Sequence, residues 1–174
     1  MTSTWTPRRV HALDDAQVDE LAEVLIDCVD GGASVSFMHP LPRDRAVAFW
    51  RRVADDVAAG QCALLVADDA GGLCGTVQLI LDQPENQPHR AELVKMLVHR
   101  RARRQGLGAA LMRAAEATAR ECGKSLLVLD TASDDAERLY QRMGWVRVGV
   151  IPDYALLPRG GLCGTTVYYR NLAV

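Results

Sequence analysis

The sequence predicts an α/β fold with a mixed sheet, formed as a single domain over residues 1–174. Segments with the period of amphipathic helices alternate along the chain with short apolar runs typical of buried strands. Between the runs at 91–98 and 125–131 lies one helical segment, and a strand–helix–strand passage of this kind gives a right-handed crossover between parallel strands. The length of 174 residues suits one domain with its own core.

The first half of the chain predicts a strand, two helices and a hairpin. In chain order these are a strand at 7–10, a helix capped by Asp14 or Asp15 and ended at Gly31, a helix after the apolar loop 31–42 that closes at Gly60, and the hairpin strands CALLVAD and LCGTVQLIL.

The second half predicts the remaining strands and helices after a proline-containing loop at 83–90. They are a strand at 91–98, a helix from Gly106 to about Cys122, the strand SLLVLDT, a short helix at 134–143 stopped by Gly144, and the final strands WVRVGVI and TTVYYRNL.

Charge and hydropathy exclude several classes of protein. The 20 basic and 22 acidic side chains give a formal net charge of −2, whereas a dedicated nucleic-acid binder usually carries a broad basic surface. No apolar run approaches the roughly 18 residues of a membrane span, and residues 1–9 lack the apolar stretch of a secretion signal. We expect a cytoplasmic protein without nucleic-acid or membrane partners.

The cysteines and histidines predict neither a disulfide framework nor a metal site. The five cysteines form no CxxC pair, and the four histidines are scattered without ligand spacing. Buried free thiols in a reducing compartment are the better interpretation. We expect no bound metal.

The stretch VHRRARRQGLGAALM is the most informative part of the sequence, because it places a strand, arginines and glycines directly before a helix. The first turn of a helix has unpaired N–H groups and a partial positive charge, and glycines let an anionic phosphate approach it. The lysine and hydroxyl of a P-loop are missing, and Leu111 stands where a dinucleotide-binding fingerprint needs Gly or Ala. An arginine-rich loop that merely caps a helix is the alternative.

Arg103, Gly106 and Gly108 satisfy the pattern of Arg or Gln, two residues, Gly, one residue, and Gly or Ala, and here the chain resembles the GNAT acetyltransferase superfamily. The resemblance covers nearly the whole chain and includes AERLYQRMGW, although Ser133 stands where Asn is usual. It implies the GNAT-type fold, a mixed and mostly antiparallel sheet that is splayed between its fourth and fifth strands and flanked by helices. A narrower resemblance, based on GGASVSFM, RAELVKMLV and the LDT ending, is to the tabtoxin-resistance acetyltransferases, which act on a β-lactam toxin.

The resemblance implies that acetyl-CoA binds along the strand at 91–98 and the loop after it. In the family this loop holds the pyrophosphate, and the end of the strand pairs with the pantetheine arm. A backbone N–H of Leu97 or Val98, freed by a bulge, would stabilise the oxyanion. The residues expected to contact acetyl-CoA are Met96, Leu97, Val98, Arg103, Arg104, Gln105, Gly106, Leu107, Gly108, Ser133 and Ala136.

Acetyl transfer to an amine needs a base, because an alkylammonium with a pKa near 10.4 is not nucleophilic. Candidate bases are Glu92, on the strand that leads into the loop, and Asp130, at the end of SLLVLDT. An ion pair of Glu92 with Arg90 and a capping role of Asp130 ahead of Ser133 are the alternatives. The resemblance makes Tyr140 the candidate general acid for the leaving thiolate, with core packing as its alternative.

The predicted function is transfer of an acetyl group from acetyl-CoA to an amine or hydroxyl of a small molecule, such as a β-lactam toxin, by direct attack on the thioester. The acceptor is expected against Gly32, Ala33, Ser34, Phe37, Asp153 and Tyr154. The protein would be a monomer or a homodimer. A non-catalytic acyl-CoA-sensing domain is the alternative, and the joint presence of Glu92, Asp130 and Tyr140 argues against it.

Overall fold

The structure, a computed structural model, describes residues 5–173. Residues 1–4 lie outside this range, and the expectation that residues 1–9 are not a secretion signal falls partly on them. Within it, the strands and α-helices follow the predicted order: β1 (Arg8–Val10), α1 (Asp15–Asp30), α2 (Arg43–Ala58), β2 (Cys62–Asp69), β3 (Gly72–Ile80), β4 (Arg90–Val98), α3 (Leu107–Glu121), β5 (Leu126–Thr131), α4 (Asp134–Arg142), β6 (Val146–Leu156) and β7 (Leu162–Asn171). None of the helices in residues 5–173 is long and apolar enough to cross a membrane.

The seven strands form one mixed sheet in the order β1-β2-β3-β4-β5-β7-β6. Strands β4 and β5 run parallel, and the other neighbours are antiparallel. The parallel pairing joins Arg90–Glu92 to residues 126–128 and stops there, although β4 continues to Val98. The sheet is therefore splayed between its fourth and fifth strands, and the predicted GNAT-type fold is confirmed.

Helix α1 begins at a capping box. The Asp14 carboxylate accepts from the Gln17 backbone N–H at 2.8 Å, and the Asp14 N–H donates to the Gln17 side chain at 3.1 Å. The cap is thus Asp14, which resolves the choice between Asp14 and Asp15. Helix α2 follows Pro42, which cannot continue a preceding helix but suits the position before a first turn.

Each face of the sheet has its own core. Helices α1 and α2 cover one face, where Trp50 and Leu25 are wholly buried, and α3 and α4 cover the other, where Leu111 and Tyr168 are wholly buried. Helix α3 lies directly on β3, because a Cβ at Gly75 would come within 2.7 Å of the Leu107 side chain. This close approach fixes where the first turn of α3 stands relative to the sheet.

A β-bulge interrupts β4 at the point where the sheet opens. Gln78 pairs with Val94 and Thr76 with Leu97, so three steps on β4 match two on β3. Lys95 has a φ of +51° within this bulge. As a result Leu93 packs into the core under α3, whereas Leu97 packs into the core under α1.

Strand β6 is longer than the sequence predicts. Asp153 and Tyr154, expected in a loop before the last strand, lie inside β6. The pairing with β7 is interrupted between Ile151 and Ala155, which pair with residues only two apart on β7. Pro152 lacks the N–H for a regular ladder, and the strand continues through an irregularity in which Asp153 has a φ of +50°.

Candidate active site

A cleft of about 1220 Å³ opens where β4 and β5 separate. Its walls are the loop after α1, the second half of β4, the first turn of α3, the end of β5 and one side of α4. The cleft lies outside the carboxyl ends of two parallel strands, at the position where ligands usually bind in open α/β sheets. Its size suits a long cofactor together with a second molecule.

The first turn of α3 forms one end of the cleft. Gly106 occupies its N-cap in the left-handed conformation, with a φ of +82°, and no side chain of the described residues caps the helix. The first main-chain bond of the helix runs from the Ala110 N–H to the Gly106 carbonyl at 3.1 Å, which leaves the preceding N–H groups without helical partners. These N–H groups and the positive helix end favour an anion here.

Guanidinium groups surround the same end of the cleft. Its lining includes one carboxylate there, Asp135, and four arginines, Arg103, Arg104, Arg138 and Arg142. Arg138 pairs with Asp135. The excess of positive charge, although the chain as a whole is slightly acidic, suits a ligand with several phosphate charges.

A buried aspartate holds the arginine-rich turn in place. Asp27 of α1 is 6% exposed and accepts from the Arg100 N–H at 2.9 Å and from the Arg100 side chain. Arg103 lies 3.6 Å from the same carboxylate and donates to the Val98 carbonyl at 2.9 Å. The guanidinium of Arg103 is thus tied to the body of the fold beside the cleft. Asp27 was not predicted from the sequence, because no local pattern links residues 73 positions apart.

We expect Asp27→Asn to destabilise the protein by about 2 kcal/mol, because it removes charge-assisted hydrogen bonds from a buried acceptor. At this chain length the melting temperature would fall by roughly 4–8 °C. Calorimetric melting measures the change. Asp19→Asn is the matched control, since Asp19 is an exposed residue of the same helix, and an equal loss in both variants would contradict the anchoring role of Asp27.

Asp130 and Tyr140 approach the cleft from opposite faces of β5. Asp130 is exposed at the end of the strand and accepts from the Thr165 hydroxyl at 2.7 Å. Tyr140 is 4% exposed in the core under α4, with its ring 5.9 Å from those of Trp145 and Tyr168. Burial, assisted by the negative charge of Asp130, raises the pKa of the Tyr140 hydroxyl, so that it keeps its proton.

Glu92 lies apart from the large cleft. Its carboxylate accepts from Arg90 Nη1 at 3.0 Å, so the ion pair considered in the sequence analysis is present. Glu92 lines a smaller cavity of about 230 Å³ together with Asp130 and Tyr154. The structure thus brings both candidate carboxylates to one cavity, but of the two Asp130 alone also lines the cleft.

Most of the other predicted site residues line the cleft, including Gly32, Ala33, Ser34, Met96, Leu97, Val98, Leu107, Gly108, Ser133, Ala136 and Tyr154. Three are not among its lining. Phe37 packs edge-on against Phe49, with ring centroids 5.3 Å apart, because that contact buries its apolar ring. The Gln105 side chain donates instead to the Arg101 carbonyl at 2.9 Å, and Asp153 lies in the irregular part of β6.

Ser133 has a second, local role. Its hydroxyl caps α4 by accepting from the Ala136 N–H at 3.3 Å. Thus the capping role considered above for Asp130 belongs to Ser133 itself.

Sequence reasoning missed several residues of the cleft lining, and two of them, Cys28 and Lys95, carry reactive groups. Cys28 is 3% exposed, and its Sγ lies 3.6 Å from the Val98 carbonyl. Burial raises the pKa of the Cys28 thiol despite the nearby charge of Arg103, so the nucleophilic thiolate is disfavoured. The second is Lys95, whose place in the cleft depends on the bulge. Across residues 5–173 no group of three metal-ligating side chains is present.

Comparison with known proteins agrees with this geometry. The model of a family described as "Acetyltransferase (GNAT) family" matches residues 26–145. Among solved structures, yncA from Salmonella typhimurium, determined with its cofactor acetyl-CoA, has a TM-score of 0.78 and 21% identity, over 99% of this chain and 96% of that one.

Two further structures are similar to the same extent. The phosphinothricin acetyltransferase of Sinorhizobium meliloti, in complex with acetyl-CoA, has a TM-score of 0.81 and 18% identity, over 99% of this chain and 90% of that one. The ribosomal-protein-alanine N-acetyltransferase of Brucella melitensis has a TM-score of 0.79 and 18% identity, over 95% of this chain and 99% of that one. At such identities the likeness shows the fold, and the names of these two proteins state different acceptors.

Proposed function

The chain belongs to the GNAT family of acetyltransferases, and we propose that it transfers the acetyl group of acetyl-CoA to an amine of a small molecule by direct attack on the thioester. That it is an N-acetyltransferase follows from the family and the fold together. The class of acceptor and the roles of individual residues are the proposal.

The observation that supports the proposal most is the uncapped start of α3, which lines the cleft where β4 and β5 separate. Gly106 has open space around it, since a Cβ there would meet nothing within 4 Å. Its left-handed backbone and the free N–H groups that follow form a cradle for the pyrophosphate. Beyond Glu92, strand β4 is not paired with β5, so within residues 5–173 the edge of β4 that faces β5 has no strand partner there and can pair with the pantetheine amides. The Val98 carbonyl is not part of this open edge, because it accepts from Arg103. These residues fit acetyl-CoA.

The proposed chemistry uses Asp130, Tyr140 and the bulge. Asp130 takes a proton from the acceptor ammonium, directly or through water, and the freed amine attacks the thioester carbon. A backbone N–H of Leu97 or Val98 stabilises the oxyanion. When the intermediate collapses, the C–S bond breaks and the Tyr140 hydroxyl gives its proton to the departing sulfur. The attacking nitrogen loses its second proton to solvent, from which the Tyr140 phenolate regains one. The raised pKa of Tyr140 suits this role, because the group must arrive protonated.

A small acceptor is proposed from the shape of the acceptor end. We define this end by Ala33, Ser34, Ser36, Lys95, Asp130 and Tyr154, which line the cleft away from α3. The adjoining cavity of about 230 Å³ is the size of a small metabolite rather than a peptide segment. The narrower expectation, a β-lactam toxin as acceptor, stays a prediction.

Release of the CoA thiol tests this function. The protein is incubated with acetyl-CoA and a panel of small amines that includes β-lactam amino acids, and free thiol is measured against time. We expect amine-dependent release with at least one acceptor. Tight binding of acetyl-CoA without release for any amine or hydroxyl compound would favour a sensing domain instead.

We expect Tyr140→Phe to lower kcat by about tenfold, because a thiol with a pKa near 8.5 is a fair leaving group and needs modest help. Since burial raises the pKa of Tyr140 above its ordinary value near 10, the hydroxyl stays protonated as the pH rises, and the wild-type advantage over the variant should persist to pH 10. Steady-state rates from pH 6 to pH 10 measure it. An advantage that disappears below pH 9 would contradict the assignment.

A further inference from the structure

The acceptor end of the cleft contains an unexpected cation. Lys95 lies in the bulge of β4 and has a left-handed backbone, which a lysine adopts only where the surrounding structure imposes it. Its Nζ donates to the Ser36 hydroxyl at 3.1 Å and lies 5.8 Å from the centre of the Phe49 ring. The bulge, the Ser36 loop and α2 together hold the ammonium at this end of the cleft.

Lys95 has no counter-ion of its own. No carboxylate oxygen of residues 5–173 lies within 4.0 Å of the Lys95 Nζ. Asp130 lies near enough for its charge to raise the pKa of Lys95, but burial outweighs it and lowers that pKa. A partly desolvated ammonium with one of its three donors in use is a ready site for an anionic oxygen.

The other charges around this end complete the pattern. Glu92 is paired with Arg90 at 3.0 Å, and the Tyr154 side chain ends in a hydroxyl group. Asp130 accepts from the neutral Thr165 hydroxyl, and none of the ion pairs within residues 5–173 includes it. The acceptor end thus presents one negative charge, Asp130, and one positive charge, Lys95, which lie near enough to influence each other but form no direct ion pair.

We propose that the acceptor is a zwitterion, an amino acid or close analogue, whose amine is directed to Asp130 while its carboxylate is held by Lys95. This inference rests on the proposed function and deepens it, because it names the acceptor class and makes Lys95 a specificity-determining residue. Such a ligand would give each of the two charges a direct partner of opposite sign. An amine that lacks a carboxylate would leave the Lys95 ammonium without an anionic partner, which disfavours the binding of that amine.

Matched acceptors test the proposal. Glycine, β-alanine and γ-aminobutyrate vary the separation of amine and carboxylate, and the carboxamide of each keeps the amine while removing the negative charge. We expect the preferred amino acid to exceed its carboxamide by about tenfold or more in kcat/KM, as a charge-assisted hydrogen bond implies. We expect Lys95→Met to reduce that ratio to near one and Lys95→Arg to restore most of it.

Because each ratio is taken within one variant, general damage to the protein cancels. Equal acetylation of amino acid and carboxamide by the wild type, or an unchanged ratio in Lys95→Met, would overturn the proposal. So would an equal loss of kcat for every acceptor in Lys95→Met, which would assign Lys95 to the oxyanion instead.

Binding distinguishes failure of this inference from failure of the proposed function. Acetyl-CoA is titrated into the protein first, and the amino acids and carboxamides are then titrated into the CoA-bound protein. If acetyl-CoA binds but none of the three amino acids is bound or acetylated, the proposed acceptor class is wrong and the cofactor site stands. Absence of acetyl-CoA binding would refute the proposed function itself.

Discussion

Asp130→Asn should lower kcat by about 10²- to 10⁴-fold, the usual contribution of a positioned general base. In the wild type the Thr165 hydroxyl donates to the Asp130 carboxylate at 2.7 Å. The asparagine keeps an oxygen that can accept this hydrogen bond, so the local structure should survive. Because the proposed pyrophosphate site lies at the other end of the cleft, the affinity for acetyl-CoA should change less than threefold. Initial rates and calorimetric titrations measure the two quantities separately.

Glu92→Gln is the matched control for this prediction. Glu92 lies on β4, the neighbour of the strand that carries Asp130. It lines the adjoining cavity with Asp130 and is already paired with Arg90. We expect its kcat to remain within a few-fold of wild type. Full turnover in Asp130→Asn combined with a large loss in Glu92→Gln would transfer the role of base to Glu92.

Gly106→Val should weaken acetyl-CoA binding by about tenfold or more. The left-handed conformation costs a residue with a Cβ roughly 1–2 kcal/mol, and a β-branched side chain fits it poorly. The free protein would relax out of this conformation, so binding would have to restore it. Calorimetric titration gives the change in affinity, and a melting curve gives the change in stability.

The opposite end of α3 offers the control variant. Gly123 has a φ of +74°, and a Cβ there, as at Gly106, would meet no atom within 4 Å, but Gly123 is not part of the cleft. Gly123→Val should therefore destabilise the protein by a similar amount without changing the affinity for acetyl-CoA. If both variants lose affinity equally, the effect belongs to the stability of α3 and not to a pyrophosphate cradle.

Local chemistry made the turn before α3 predictable. The order of strand, arginines, Gly106-Leu107-Gly108 and helix depends on neighbours in sequence, and the structure has an uncapped helix start at this point of the cleft. The element order was predictable for the same reason, since each helix has its own apolar period and its own stop signal.

Long-range register explains what the sequence did not reveal. The bulge at Lys95 depends on how β4 pairs with β3, and this lysine lines the cleft at the bulge. Asp27 and Cys28 act on β4 and the arginine turn from α1, some 70 residues earlier. Asp153 was expected in the loop before the final strand, whereas β6 continues past an irregularity in its pairing with β7.

A comparison of acetyl-CoA with acetyl-pantetheine, which has the same thioester but no nucleotide diphosphate, tests whether the start of α3 binds the pyrophosphate. If the start of α3 holds the pyrophosphate, calorimetry on the wild type will show far tighter binding of acetyl-CoA, and Gly106→Val will remove most of that difference while leaving acetyl-pantetheine unaffected. Equal affinity of the two thioesters for the wild type, or the same difference in Gly106→Val, would contradict the account.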